Sequence, residues 1–473
     1  MLKNRAIPRQ AGVLLAMAFV GSLSSAALAQ DSWYSGTATP TNAGSQPWAS
    51  DKRLGEAAGL GEGRFRFHPG ASVDGTYNSN VYLRAKSEDP KDAFILRLTP
   101  YINFNTVVAP ETGPESRPPF SLQGGVSVSY LRYFKATNSL DDVGSNSNLA
   151  ASGNLALVIA PKGKISGDIH GSVTRSIDPS SVGDPNSTFN RDIFTAGFAA
   201  IWRPGGGLFN WKLGYDLSYT LFEDAPYDTL NSATHTISNS GSWQFRPRSQ
   251  VVFDTAVGFY RYSNANTVQP DGEFVRGRLG VSSLITKAVN ITVLGGYAST
   301  IFDSKAGAAK QDFDSFIGQA SAQFFFTAPP KGEDPGVFPT SFTVGYVRDF
   351  TQSYVGNFYQ RDRGYGTLAY SFSGKIVGAL NGGVSRLAFP ETFFQNGARR
   401  SNAFVNYAVD IGLFAEYRIF KNFGVNVNGQ YNRMISDEKL PASPTPVAGT
   451  TVIPVDDLSW EQFIATVGVR YFY

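Results

Sequence analysis

Trp211-Lys212-Leu213-Gly214-Tyr215-Asp216-Leu217-Ser218-Tyr219-Thr220-Leu221 alternates at every step between an aromatic or aliphatic residue and a polar or small one. Successive side chains of a β-strand point to opposite faces, so this run has one wholly apolar face and one of Lys, Gly, Asp, Ser and Thr. The period recurs in 94–104, where even positions are nearly all apolar and odd ones include Arg97, Thr99 and Asn103. In 405–419 it sets Asn406, Asp410, Glu416 and Arg418 opposite Val405, Tyr407, Val409, Ile411, Leu413, Tyr417 and Ile419. These runs are 11 to 15 residues long. A strand of a soluble sandwich is usually about 5–6 residues, whereas about 9–11 tilted residues cross a bilayer. The pattern therefore predicts strands that cross lipid, with a polar interior.

The rest of the chain agrees. No run after Leu23 is long and apolar enough for a spanning helix. A chain that spans lipid without helices must close its sheet, because hydrocarbon satisfies no open strand edge. The chain holds 49 Gly, 36 Phe and 22 Tyr, only 17% charged residues and no Cys, so disulfides contribute nothing to its stability. Lys3, Arg5 and Arg9, the apolar run 11–23 and Ala27-Leu28-Ala29 form an export-signal pattern, giving residues 1–29 as a signal peptide. Those three cations account for the formal charge of +3, and the remainder is formally neutral. With no basic stripe left, nucleic acid is not expected as a partner. Residues 30–64, rich in Gly, Ser, Ala, Thr and Pro, read as a flexible periplasmic segment with a short helix over 52–58, and 65–473 as the barrel.

Connection lengths alternate too. Short turns fall at 161–163, 204–207, 246–248, 287–289, 374–376 and 420–422, with looser ones at 109–119 and 328–339. Longer polar links fall near 78–92, 135–147, 177–189, 223–232, 263–272, 303–311, 351–361, 390–401 and 436–458. Eight turns and nine loops join eighteen strands. The expected fold class is thus all-β, a closed antiparallel transmembrane barrel with short periplasmic turns, longer external loops and both termini periplasmic. Cutting 340–373 differently, or demoting 65–77 because of Pro69, gives sixteen strands instead. Aromatics gather at the strand ends as interfacial girdles: Trp202, Trp211, Trp243, Phe245, Phe420 and Phe423 at one end, Tyr133, Phe134, Phe222 and Tyr262 at the other.

The apolar phase assigns twelve ionisable side chains to the lumen: Arg97, Asp168, His170, Lys212, Asp216, Asp254, Arg276, Arg278, Asp410, Glu416, Arg418 and Arg470. The signs are mixed, so only weak ion preference is expected, since focusing needs one sign to dominate. Pairing across strands is the equal alternative, and Arg276 with Arg278 is the best candidate for an anion-attracting patch. Asp168, His170 and Ser172 share a face, but side chains two apart on a strand lie roughly 6–7 Å apart, beyond the roughly 3 Å a general base requires. No enzyme activity is expected. Three histidines and no Cys supply no metal cluster, and no cofactor is expected.

Two resemblances follow. Thr466, Gly468, Tyr471 and Tyr473, on a last strand ending on an aromatic, resemble the signal that the outer-membrane assembly machinery reads. Pro69-Gly70-Ala71-Ser72-Val73, Tyr77-Asn78-Ser79-Asn80-Val81-Tyr82 and Leu98-Thr99-Pro100 resemble the opening of the β-barrel porin type 2 family of Gram-negative bacteria. That resemblance implies a barrel in the bacterial outer membrane, in contact with its lipid and lipopolysaccharide, and often an association with envelope polysaccharide export. It implies no catalytic or solute-binding residues. The expected function is a porin-like channel for small hydrophilic solutes. The alternative is a non-transporting structural or docking protein of the envelope.

Overall fold

The computed structural model describes residues 60–61 and 65–473, apart from 107–118, 137–142, 162, 179–188, 265–268, 304–311, 327–339, 354–356, 373–374, 394–397, 421 and 442–454. The signal peptide and nearly all of the 30–64 segment, its helix included, lie outside the described residues. Eighteen long strands form one closed sheet. They are β1 (Phe65–Asn78), β2 (Ala93–Thr106), β3 (Phe120–Lys135), β4 (Asn148–Ile159), β5 (Ile165–Ser176) and β6 (Arg191–Trp202). Next come β7 (Phe209–Phe222), β8 (Ser232–Arg246), β9 (Ser249–Tyr262), β10 (Gly272–Thr286), β11 (Val289–Phe302) and β12 (Phe313–Phe325). The circuit ends with β13 (Ser341–Gln352), β14 (Phe358–Phe372), β15 (Ile376–Phe389), β16 (Phe404–Phe420), β17 (Phe423–Ile435) and β18 (Trp460–Phe472).

Each strand pairs antiparallel with its neighbours in sequence, and β1 pairs with β18 from Gly70↔Phe472 to Asn78↔Ile464. The count is eighteen because 340–373 makes two strands and β1 keeps its proline. Pro69 accepts from the Tyr473 N–H, so its missing donor faces β18 only where that strand has ended. Pro100 is the second exception. The β2–β3 ladder skips from Leu98↔Tyr130 to Tyr101↔Ser127, and a Thr99–Ser129 hydroxyl pair at 2.8 Å bridges the break.

The Asn78-Ser79-Asn80 run locks the closing seam. Asn78 accepts from the Asn80 N–H at 3.0 Å, and the Asn80 side chain donates to the carbonyls of Arg84 and Glu461 at 2.7 and 3.0 Å. Ser79 accepts from the Phe463 N–H at 2.8 Å, and Thr76 meets Thr466 at 2.9 Å. Three of these side-chain contacts cross the seam and reinforce the one strand pair made between chain ends, where loop closure costs most.

Apolar residues of one phase cover the outside: Phe94, Leu96 and Leu98 on β2, Val467 and Tyr471 on β18, and Ile411, Leu413 and Tyr417 on β16 are all exposed. Trp202, Trp243, Phe245 and Phe420 project outward at the turn end, an interfacial aromatic girdle. At the loop end Phe134 is exposed, but Tyr133, Phe222 and Tyr262 are not part of that girdle. Tyr133 lies one residue out of phase with exposed Tyr130 and Phe134, so the pleat turns it inward. The loops are less plainly polar than their composition reads. Val81 and Val143 pack on Ile95, Leu131 and Tyr133, Phe189, Tyr227 and Leu230 on Phe222, and Leu440 and Leu458 on Leu387, Phe404 and Trp460. These described loop segments pack on inward-facing strand residues, and the Lys439–Pro441 segment reaches Leu387 of β15.

Candidate functional site

The residues facing inward divide into paired and unpaired charges. On β5 and β7, His170 Nε2 meets Asp216 Oδ1 at 2.7 Å, its Nδ1 lies 3.3 Å from Asp168, and Lys212 donates to Asp168 at 3.2 Å. The His170–Asp216 contact skips a strand by crossing Gly197 of β6, where a Cβ would sit 2.5 Å from both polar atoms. Ser172 bonds Thr195 at 2.7 Å rather than His170, so the three residues that share a face form no relay. On β9 and β10, Arg278 donates to both oxygens of Asp254 at 3.1 and 3.2 Å.

Near the turn end, Glu416 receives Arg418 at 3.1 Å and Arg470 through two nitrogens. The Glu416 and Arg470 side chains are 1% and 2% exposed. Asp410 is held by a partner that the sequence reading missed: Arg363 of β14, bidentate at 2.7 Å on each oxygen. This pair also skips a strand, the guanidinium lying over Gly383 of β15. A Cβ at 383 would stand 2.8 Å from Arg363 Cζ. Gly383→Ala is expected to displace the arginine and lower stability by about 1.5–3 kcal/mol, the range for a lost charged hydrogen bond. Gly429→Ala, where a Cβ meets nothing within 4 Å, serves as the neutral control in the same urea titration.

Of the twelve expected lumen residues, ten fall into these four clusters. Arg97 and Arg276 form no ion pair within 4 Å among the described residues, and neither does Arg361 of β14, also missed in the sequence. Each has a buried Nε without a partner. All three lie near the loop ends of their strands. Arg276 and Arg278 therefore do not act as one patch, since Asp254 engages only the second. Arg276 instead neighbours Tyr260, and Tyr260 lies in electrostatic range of Asp349 on β13. Tyr359 in turn lies in range of Arg361 and Asp349. Gln352 donates to the Tyr262 hydroxyl at 2.5 Å, spanning from β13 to β9. The loop-side half of the bore thus carries three guanidiniums outside any ion pair, Arg97 opposite Asp74, Arg361 opposite Asp349, and Arg276 beside Tyr260.

Among the described residues no group of three or more His, Cys, Asp or Glu is placed to hold a metal.

No family model matches this chain, and no curated protein matches it in sequence. Among solved structures it is similar to OpdK of Pseudomonas aeruginosa, crystallised with vanillate, at 10% identity and a TM-score of 0.43, over 86% of this chain and 99% of that one. It is also similar to the FrpB iron transporter of Neisseria meningitidis at 8% identity and a TM-score of 0.43, over 89% of this chain and 86% of that one. OccAB4 of Acinetobacter baumannii gives 10% identity and 0.40, over 86% and 98%. At such identities and scores, the functional reading stands on this chain's own residues.

Proposed function

We propose that the protein is an outer-membrane diffusion channel for small hydrophilic solutes, without enzymatic activity. The observation that carries this reading is a closed eighteen-strand wall with an apolar exterior and an inward phase that carries Ser, Thr, Gly and ionised side chains, alongside apolar clusters such as Phe274, Phe302, Phe313 and Ile317 near the loop end. A circumference of about 16–18 strands leaves an aqueous channel unless something plugs it, and a polar wall keeps that channel wet. Most lumen charges neutralise one another, so the bore discriminates weakly by charge. Arg97 and Arg361 stand opposite Asp74 and Asp349, whereas Arg276 faces only alanines, so the tilt towards anions at the loop side comes mainly from Arg276.

In this reading the turn end faces the periplasm, where both ends of the chain then lie, and the assembly machinery reads the last strand through Tyr471 and Tyr473, both exposed outside. The test is ion conductance of the refolded barrel in a planar bilayer. Discrete steps support the proposal, and a silent bilayer with folding verified overturns it in favour of a structural or docking role in the envelope.

A further inference from the structure

On the outer wall, towards the loop end, β13 to β15 carry a charged cluster that the channel does not use. Asp362 shares the outward phase of exposed Tyr370 and Phe372 on β14, and Arg386 that of exposed Leu380 and Val384 on β15. Asp362 receives Tyr346 at 2.7 Å and Gln360 at 3.2 Å. Arg348 and Arg386 stand 3.4 Å from its two oxygens, with side chains 36% and 45% exposed against 14% for the carboxylate. Two guanidiniums thus share one carboxylate, Arg348 with its Nε buried, and both side chains stay partly exposed on the outer wall.

Among other outward charges near the loop end, Arg261 pairs with Glu273, Arg175 pairs with Glu223 beside Asp192, and Arg132 of β3 lies over the Phe134 ring. The cluster on β13 to β15 differs in setting two guanidiniums on one carboxylate.

Directly below it the wall loses its side chains. Gly364 and Gly366 follow Asp362 on the outward phase of β14, and Gly382 sits opposite Gly366 on β15. A Cβ at Gly364 would meet nothing within 4 Å. Val344 and Tyr346 stand on one side, opposite Gly366 and Gly364, and Val384 on the other, opposite Gly364. The result is a shallow apolar trough one strand wide, running from the arginines towards the middle of the lipid belt. Charge on a lipid-facing wall is tolerated near the interface, where it costs about 0–1 kcal/mol. There, an arginine fork is suited to phosphate.

We propose that this surface binds a phosphorylated lipid of the outer leaflet, of the lipid A type, with a headgroup phosphate on Arg348 and Arg386 and an acyl chain in the Gly364–Gly366–Gly382 trough. The proposal rests on the outer-membrane placement above, but not on the bore being open. It accounts for three glycines lying directly beside two arginines, a juxtaposition that the outward glycines Gly75 and Gly429 elsewhere on the wall do not have.

The experiment is native mass spectrometry of the refolded full chain in detergent, titrated separately with diphosphoryl lipid A, its dephosphorylated form and phosphatidylethanolamine. Wild type is expected to retain diphosphoryl lipid A at least tenfold better than either other lipid. R348A/R386A should lose that preference, and Gly364→Leu, which fills the trough with a side chain that lipid tolerates, should weaken retention several-fold. Asp362→Asn removes the competing carboxylate and should strengthen it, which keeps the test decisive even if the double variant fails to fold. Equal retention of the three lipids by wild type, or an unchanged preference in folded R348A/R386A, or weaker retention in Asp362→Asn, overturns the proposal.

Discussion

Glu416→Gln is expected to destabilise the barrel by about 3–5 kcal/mol, the cost of leaving a buried charge without its partner. Glu416 and Arg470 are almost fully buried, with Arg418 on the same carboxylate. Neutralising Glu416 leaves two guanidiniums near each other at the turn end, each having lost its ion pair with Glu416. The Arg470 guanidinium also lies 4.5 Å from the Phe472 ring centroid, so it cannot leave without disturbing the end of the closing strand. The measurement is the urea midpoint of unfolding in lipid vesicles. The triple variant E416L/R418M/R470M should recover most of the loss, because apolar replacement of a whole buried ion cluster is often close to neutral. A Glu416→Gln midpoint equal to wild type would show that these side chains are hydrated and that the bore reaches them with bulk water.

The second large effect is on ion selectivity. Arg276 faces Ala256 and Ala298 across the ladder and Arg361 faces Asp349 without an ion pair within 4 Å among the described residues, so both are less compensated than Arg278, Arg363 and Arg470, which carboxylates hold directly. R276E/R361E changes the loop-side charge by four units and should turn a weak anion preference into a clear cation preference, read as a change in sign of the reversal potential across a salt gradient. R278A/D254A, which removes both members of one ion pair and leaves the net charge unchanged, should leave that potential close to wild type. A reversal potential indifferent to R276E/R361E would mean that ions do not pass these side chains.

Much of this architecture was legible because a membrane barrel obeys a strict period of two and separates its connections by length. Strands such as β2, β7 and β16 declare both faces, and from them came the phase that places Asp410, Glu416 and Arg470 inside. The reading weakened where local chemistry breaks the alternation. On β14 the outward positions Gly364 and Gly366 carry no side chain, so the segment showed no apolar face. Its inward arginines 361 and 363 went unnoticed with it. The partner of Asp410 was invisible for another reason, since it acts across β15 over Gly383, a contact between strands that are not neighbours. Tyr133, Phe222 and Tyr262 were misplaced because aromatic character at a strand end does not say which face it occupies. That requires the phase of the particular strand.

The central claim is a water-filled path through the barrel, and it is tested most directly by recording the wild-type protein in a planar bilayer after folding has been verified by heat-modifiable migration. The account predicts discrete conductance steps that grow with salt concentration and show a weak anion preference. Folded protein that leaves the bilayer at its bare baseline at every voltage and salt concentration would contradict it.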